Sequence, residues 1–107
     1  MKIGLIIAMD KEYRMFCELL GGDGGWLGGN EIVLSHCGIG KVNAAVGALR
    51  LIEAEQPDCV ISSGVAGGVD RTLDVMDIVV ADEVEERGAA RRDDFVEMRP
   101  LAPEEFL

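Results

Sequence analysis

The chain has 107 residues, 49% of them hydrophobic and 28% charged, which suits one modest globular domain or one part of a larger one. Its 20 acidic residues outnumber 10 basic ones, for a formal net charge of -10. That balance argues against a nucleic-acid or anionic-membrane surface, since both need clustered Lys and Arg, and no apolar run is long enough to cross a bilayer.

Ile3 to Ala8 is an unbroken apolar run, the pattern of a strand buried on both faces in a parallel sheet. It is preceded by no cationic region. Met9-Asp10-Lys11-Glu12 follows where a secretion signal would have small cleavage-site residues. Asp10 is placed to cap a helix over Lys11 to Leu20, with Tyr13, Phe16, Cys17 and Leu20 on one stripe and Gly21-Gly22 ending it. Residues 23–30 are glycine-rich and read as a loop or hairpin around Trp26 and Leu27. The strand Glu31 to Cys37 then feeds the turn Gly38-Ile39-Gly40, which opens directly into a helix over Lys41 to Glu55. In that helix Val42, Ala45, Val46, Leu49 and Ile52 recur at three- and four-residue spacing, predicting the apolar face, while Lys41, Arg50, Glu53 and Glu55 face water. Pro57 stops it.

Cys59-Val60-Ile61 predicts another buried strand, running into the small-residue turn Ser62 to Gly68. Asp70 to Leu73 suggests a turn, and Val75 to Ala81 a further strand. From Glu85 the chain is charged and small, with Pro100 and Pro103. Residues 1–84 therefore read as an α/β domain and 85–107 as a divergent, weakly ordered tail. Strands alternating with amphipathic helices predict an α/β fold with a mixed, partly parallel sheet flanked by helices. In such sheets ligands bind beyond the carboxyl ends of the strands. The turns after Ala8, at Gly38 to Gly40 and at Gly64 to Gly68 all fall there.

Several residues near those turns could carry chemistry. Glu12, in the first helical turn, could hold or deprotonate a water; acidic residues also favour that position for dipole reasons alone. The glycine pair Gly38 and Gly40 leaves helix N–H groups open to a small ligand, or simply allows close packing. Ala66-Gly67-Gly68 permits close backbone approach to a flat ligand, or is a compact loop. Met9 and Ile39 could line a pocket or be ordinary core. Lys41 after Gly40 does not make a P-loop, because Ser35 and Val42 stand where a glycine and a Ser or Thr are needed, and Asn43 removes a G-x-G-x-x-G. Cys17, Cys37 and Cys59 form no disulfide framework or metal signature, and His36 is the single histidine, so reduced thiols in a cytoplasmic protein are expected. In a strand, His36 and Cys37 point to opposite faces, which argues against a Cys–His pair.

Taken together, Met1 to Gly4, Ala8 to Glu12, Gly38 to Ala45, Pro57-Asp58, Ser63 to Gly68 and Val75 to Glu83 resemble the 5′-methylthioadenosine/S-adenosylhomocysteine nucleosidases, within the wider purine and uridine phosphorylase family. Order and spacing fit from Met1 to about Val84. The resemblance implies the N-terminal half of that fold and hydrolysis of the N-glycosidic bond of adenine thionucleosides, with no metal or organic cofactor. It implies Glu12 as the residue activating the water, and Met9 and Ile39 along the ribose and 5′-alkylthio side. Val65, Ala66 and Gly67 would lie by the adenine and the water. The implied partners are a small adenine nucleoside and a second copy of the chain, as a homodimer.

Phosphorylases of the family hold phosphate with an Arg and a Ser at positions that here look like Ser62 and Val65, which favours water as nucleophile. Val65 also departs from the nucleosidases' Gly-Ser-Ala-Gly-Gly and removes a hydroxyl that could place the water. Beyond Val84 the family's second half supplies a ribose-binding glutamate and the aspartate that protonates adenine. Phe95-Val96-Glu97-Met98 is similar to the family's ribose-binding Val-Glu-Met in surroundings that do not match, so Glu97 and Met98 are implied as substrate contacts only across a deletion. The alternatives are a catalytically incomplete nucleoside-binding or oligomerising module and a purine nucleoside phosphorylase.

Overall fold

In the computed structural model, the structure describes residues 1–87 and 95–100, with side chains described to Val84. Contacts divide the chain into two compact units, Met1–Gly67 and Gly68–Leu107.

The first unit is a four-stranded mixed sheet with two helices. Its strands are β1 (Lys2–Ile7), β2 (Gly24–Leu27), β3 (Asn30–His36) and β4 (Cys59–Ser63), in the order β2-β3-β1-β4. β1 lies parallel to both β3 and β4, and β2 pairs antiparallel with β3 through the turn at Gly28-Gly29. The helices are α1 (Asp10–Leu20) and α2 (Lys41–Glu55).

Strand alternation assigns the two faces of the sheet. Ile7, Ile32 and Leu34 form a buried cluster with Ile3 and Leu5 and, from α1, with Tyr13, Phe16, Cys17 and Leu20. The intervening positions meet α2: a Cβ on Gly4 would stand 2.6 Å from Leu51, and one on Gly47 would stand 2.3 Å from the Cβ of Cys37. The sheet is thus sandwiched, α1 on one face and α2 on the other. Ile7 is fully buried in the cluster on the α1 face, a burial worth about 1.5–3 kcal/mol. The mixed, partly parallel sheet flanked by helices matches the architecture expected from the sequence.

α2 spans the expected residues but presents a different face. Its buried residues are Gly47 and Leu51, whereas Val42, Leu49 and Ile52 of the apolar stripe are 78%, 57% and 48% exposed. The reason is steric. Gly47 offers the smallest surface on the helix, and only that face lets its backbone come down onto Cys37 and Ser35. The stripe is turned outward. β4 also differs from expectation: it is an edge strand, hydrogen-bonded among the described residues to β1 alone, and Val60 and Ile61 are exposed rather than buried.

β4 is fastened to β1 at the amino end by a reciprocal pair. The Lys2 N–H donates to Asp58 Oδ2 at 2.6 Å, and the Asp58 N–H donates to the Lys2 carbonyl at 2.7 Å. The Lys2 ammonium meets Glu55 at 3.0 Å, and that bond holds it above the ordinary lysine range.

α1 starts one residue earlier than expected, and Asp10 is not its cap. The N-cap is Met9, and Asp10 pairs instead with Arg14 at 2.9 Å, one helical turn on. The helix ends at Gly21, whose left-handed φ of 78° lets its N–H return to the Cys17 carbonyl at 2.8 Å.

In the second unit, Asp70 accepts the backbone N–H and hydroxyl of Thr72 at 2.8 and 2.6 Å, which draws its carboxyl below the usual range. The strand expected over Val75 to Ala81 lies further on, as β5 (Ala81–Arg87), paired antiparallel with β6 (Phe95–Pro100). A turn occupies the expected place: the Asp74 N–H donates to the Asp77 carboxylate at 2.7 Å, the Asp77 N–H returns to the Asp74 carbonyl at 3.1 Å, and Met76 between them has φ 76°. Within the tail expected to be weakly ordered, residues 88–94 and 101–107 lie outside the described residues.

Candidate active site

Parallel pairing brings three strand ends to one level. Ile7 of β1 is in register with His36 of β3 and with Ser63 of β4. The turns that follow therefore open on the same edge of the sheet, the position where the polarity of a parallel sheet leaves room for a ligand.

Glu12 ties two of these turns together. Its Oε1 accepts the Met9 N–H at 3.2 Å, the return arm of a capping box. Its Oε2 accepts the Val65 N–H at 2.5 Å, across from the turn after β4. The residue is only 8% exposed and is the one buried charged side chain among the described residues. A buried carboxylate is tolerated when its lone pairs meet donors, and here two backbone amides supply them. Gly64 is needed for this approach, since a Cβ there would lie 2.8 Å from Oε2. Gly64→Ala is expected to push the carboxylate off the Val65 N–H and lower stability by about 1 kcal/mol; thermal unfolding of the variant beside the parent checks it.

An open groove of about 450 Å³ lies at the same edge, lined in part by Met9, the residue whose N–H Glu12 accepts. Ala8, Met9, Asp10 and Lys11 form one side of it; His36, Gly38, Ile39 and Asn43 form the other. The Gly38–Gly40 turn is held by Asn43, whose side-chain amide donates to the Ile39 carbonyl at 2.8 Å, and both glycines take positive φ, 90° and 97°. Cys37 turns toward α2 and its thiol donates to the Gly38 carbonyl at 3.2 Å, while His36 stacks on Tyr13 of α1, with centroids 5.2 Å apart. The two neighbours do point to opposite faces.

Of the residues singled out from the sequence, Met9, Glu12, Ile39 and Val65 gather at this edge. Ala66 and Gly67 follow Val65 as exposed backbone and do not line the groove. Glu97 and Met98 lie in β6, opposite Glu85 and Val84, and their side chains fall outside the described residues. Lys11, His36 and Asn43 line the groove without having been expected there. For His36 the signal was available: it ends the strand before the glycine turn and has the parity of Ile32 and Leu34.

The chain is similar to known proteins in sequence and in fold. The chain is 57% identical over 60 residues to the 5′-methylthioadenosine/S-adenosylhomocysteine nucleosidase of Chromohalobacter salexigens, a match covering 56% of this chain and 26% of the relative. Its fold is similar to that nucleosidase from Neisseria meningitidis, solved in complex with methylthio-immucillin-A. There the TM-score is 0.60 and the identity 34%, over 68% of this chain and 36% of that one. The Helicobacter pylori MTAN gives a TM-score of 0.57 at 30% identity, over 72% of this chain and 40% of that one. The match thus spans between about a quarter and two fifths of the relatives' lengths. The sequence pattern of the Phosphorylase superfamily runs through residues 2–106, almost end to end, and the chain belongs to that superfamily.

Proposed function

We propose that this chain carries the water-activating part of an adenine nucleosidase site, hydrolysing the N-glycosidic bond of 5′-methylthioadenosine- or S-adenosylhomocysteine-type nucleosides and releasing adenine. The observation that carries the reading is Glu12: buried, and fixed through both oxygens by the amides of Val65 and of Met9, itself a groove-lining residue. Each carboxylate oxygen retains a further lone pair for a water. The same charge favours the oxocarbenium-like centre that forms as the glycosidic bond breaks. Met9 and Ile39 supply apolar surface for the ribose and alkylthio side, and the backbone at Ala66 and Gly67 offers amides to the purine. The reaction needs only water as co-substrate. The three thiols are free, as suits a reducing cytoplasm.

The test is adenine release from 5′-methylthioadenosine by the purified chain. Release supports the reading. Binding without release selects an incomplete nucleoside-binding module instead, a reading favoured by the short span of the relatives that this chain matches. Release that requires inorganic phosphate and yields a sugar phosphate selects a phosphorylase.

The outward stripe of α2 supports a homodimer, since an apolar helix face of this size is usually covered. Leu49→Glu combined with Val46→Glu is expected to shift the chain from dimer to monomer in sedimentation, and a monomeric parent chain would sink the idea.

A further inference from the structure

We propose that Asn43 is a positioning residue for the groove: its side-chain amide fixes where the Ile39 side chain stands, and so sets how tightly a nucleoside is held. The inference rests on the nucleosidase reading above and adds to it a residue that acts through another. Ile39 lines the groove yet is 73% exposed, so packing against neighbours does little to hold it. Residue type does little either. Glycines flank it, Gly38 at φ 90° and Gly40 at φ 97°, and a glycine leaves such angles at little steric cost.

Hydrogen bonds therefore define the turn, through its three carbonyls. That of Gly40 accepts the Ala44 N–H at 2.9 Å, where α2 begins. That of Gly38 accepts the Cys37 thiol at 3.2 Å, a weak donor. The Ile39 carbonyl accepts the Asn43 side-chain amide at 2.8 Å. The same amide lies against Gly38, where an added Cβ would stand 3.2 Å from Nδ2 and 3.3 Å from Cγ. One side chain thus grips Ile39 and the residue before it. Only the NH2 end of the amide can meet that carbonyl without repulsion, so its polarity is required as well as its shape. Asn43 belongs to the first turn of α2, and through it the helix holds the groove-lining turn in place.

Asn43→Asp separates this role from a purely structural one. The substitution keeps the shape and turns a carboxylate oxygen toward the Ile39 carbonyl. It also suits the positive end of a helix, so the melting temperature is expected to hold or rise. Calorimetric titration of the whole chain with 5′-methylthioadenosine is expected to show about fivefold weaker binding, the effect of one hydrogen bond. In an Ile39→Ala background the same substitution is expected to change affinity by a factor of about one, because the side chain it positions is gone. Unchanged affinity in Asn43→Asp overturns the inference and leaves the nucleosidase reading standing. A fivefold loss that persists in the Ile39→Ala background does the same. So does a loss accompanied by a lower melting temperature, which would make Asn43 a structural residue only. Failure of the parent chain to bind the nucleoside overturns both.

Discussion

Glu12→Gln is expected to lower adenine release by about 10²–10⁴-fold, the range for losing a positioned general base. The substitution keeps the shape of the side chain and removes its charge. It also changes the hydrogen bonding in a defined way. Both Glu12 oxygens accept backbone N–H groups, from Met9 and from Val65. The amide of glutamine can accept only one of them and turns an NH2 group toward the other. That donor-against-donor contact is expected to cost about 1–3 kcal/mol of stability. Nucleoside titration of the folded variant separates the two effects: retained binding with lost release locates the defect in the chemistry. A variant that releases adenine at the parent rate would remove Glu12 from the mechanism.

Gly47→Ala has the second-largest expected effect, and its sign is the informative part. In an exposed helix this change stabilises by roughly 0.5–1 kcal/mol, because glycine loses more conformational freedom on folding. Here the added Cβ would meet the Cβ of Cys37 at 2.3 Å and its Cα at 3.2 Å. Neither atom belongs to a flexible side-chain end, so α2 itself has to move away from the sheet. The helix would then lose part of the contact that buries Leu51. The expected result is a loss of about 1–3 kcal/mol, the usual cost of overpacking, read as a lower midpoint in chemical denaturation. A stabilised variant would mean that α2 packs elsewhere.

Much of this arrangement could be read from residues, and the exceptions have a common physical origin. The apolar run at Ile3 to Ala8 and the glycine stops at Gly21 and Gly38 to Gly40 locate elements because they act locally. The parallel sheet follows from the alternation of those elements. What periodicity could not reveal was which face of α2 meets the sheet. Hydrophobicity favoured Val42, Val46 and Leu49, but close approach to Cys37 demanded Gly47, and contact geometry won. The strand expected over Val75 to Ala81 was lost to the paired Asp74 and Asp77 bonds, a turn signal masked by β-branched neighbours. At the site, Glu12 and Met9 were legible from their place after β1. Its bond to Val65 was not, since no local pattern links residues so far apart. Whether Glu12 works as a base or simply caps α1 is decided by what lies beside it, and the sequence offered both.

The link from Glu12 to Val65 has a consequence for how the molecule comes together. The two residues are separated by 53 positions, and Lys2 and Asp58, which clamp the other end of β4, by 56. Pairings so distant in the chain form slowly, after loop closure has been met, and parallel neighbours need a crossover before they can pair. The carboxylate therefore reaches the Val65 N–H only once β4 has settled beside β1, so the groove edge and the sheet form together. A nucleoside that recognises the finished site draws the equilibrium toward it, by about 2.7 kcal/mol at a hundredfold excess over its dissociation constant. A rise in the melting temperature of this chain with nucleoside concentration would report that coupling between binding and folding.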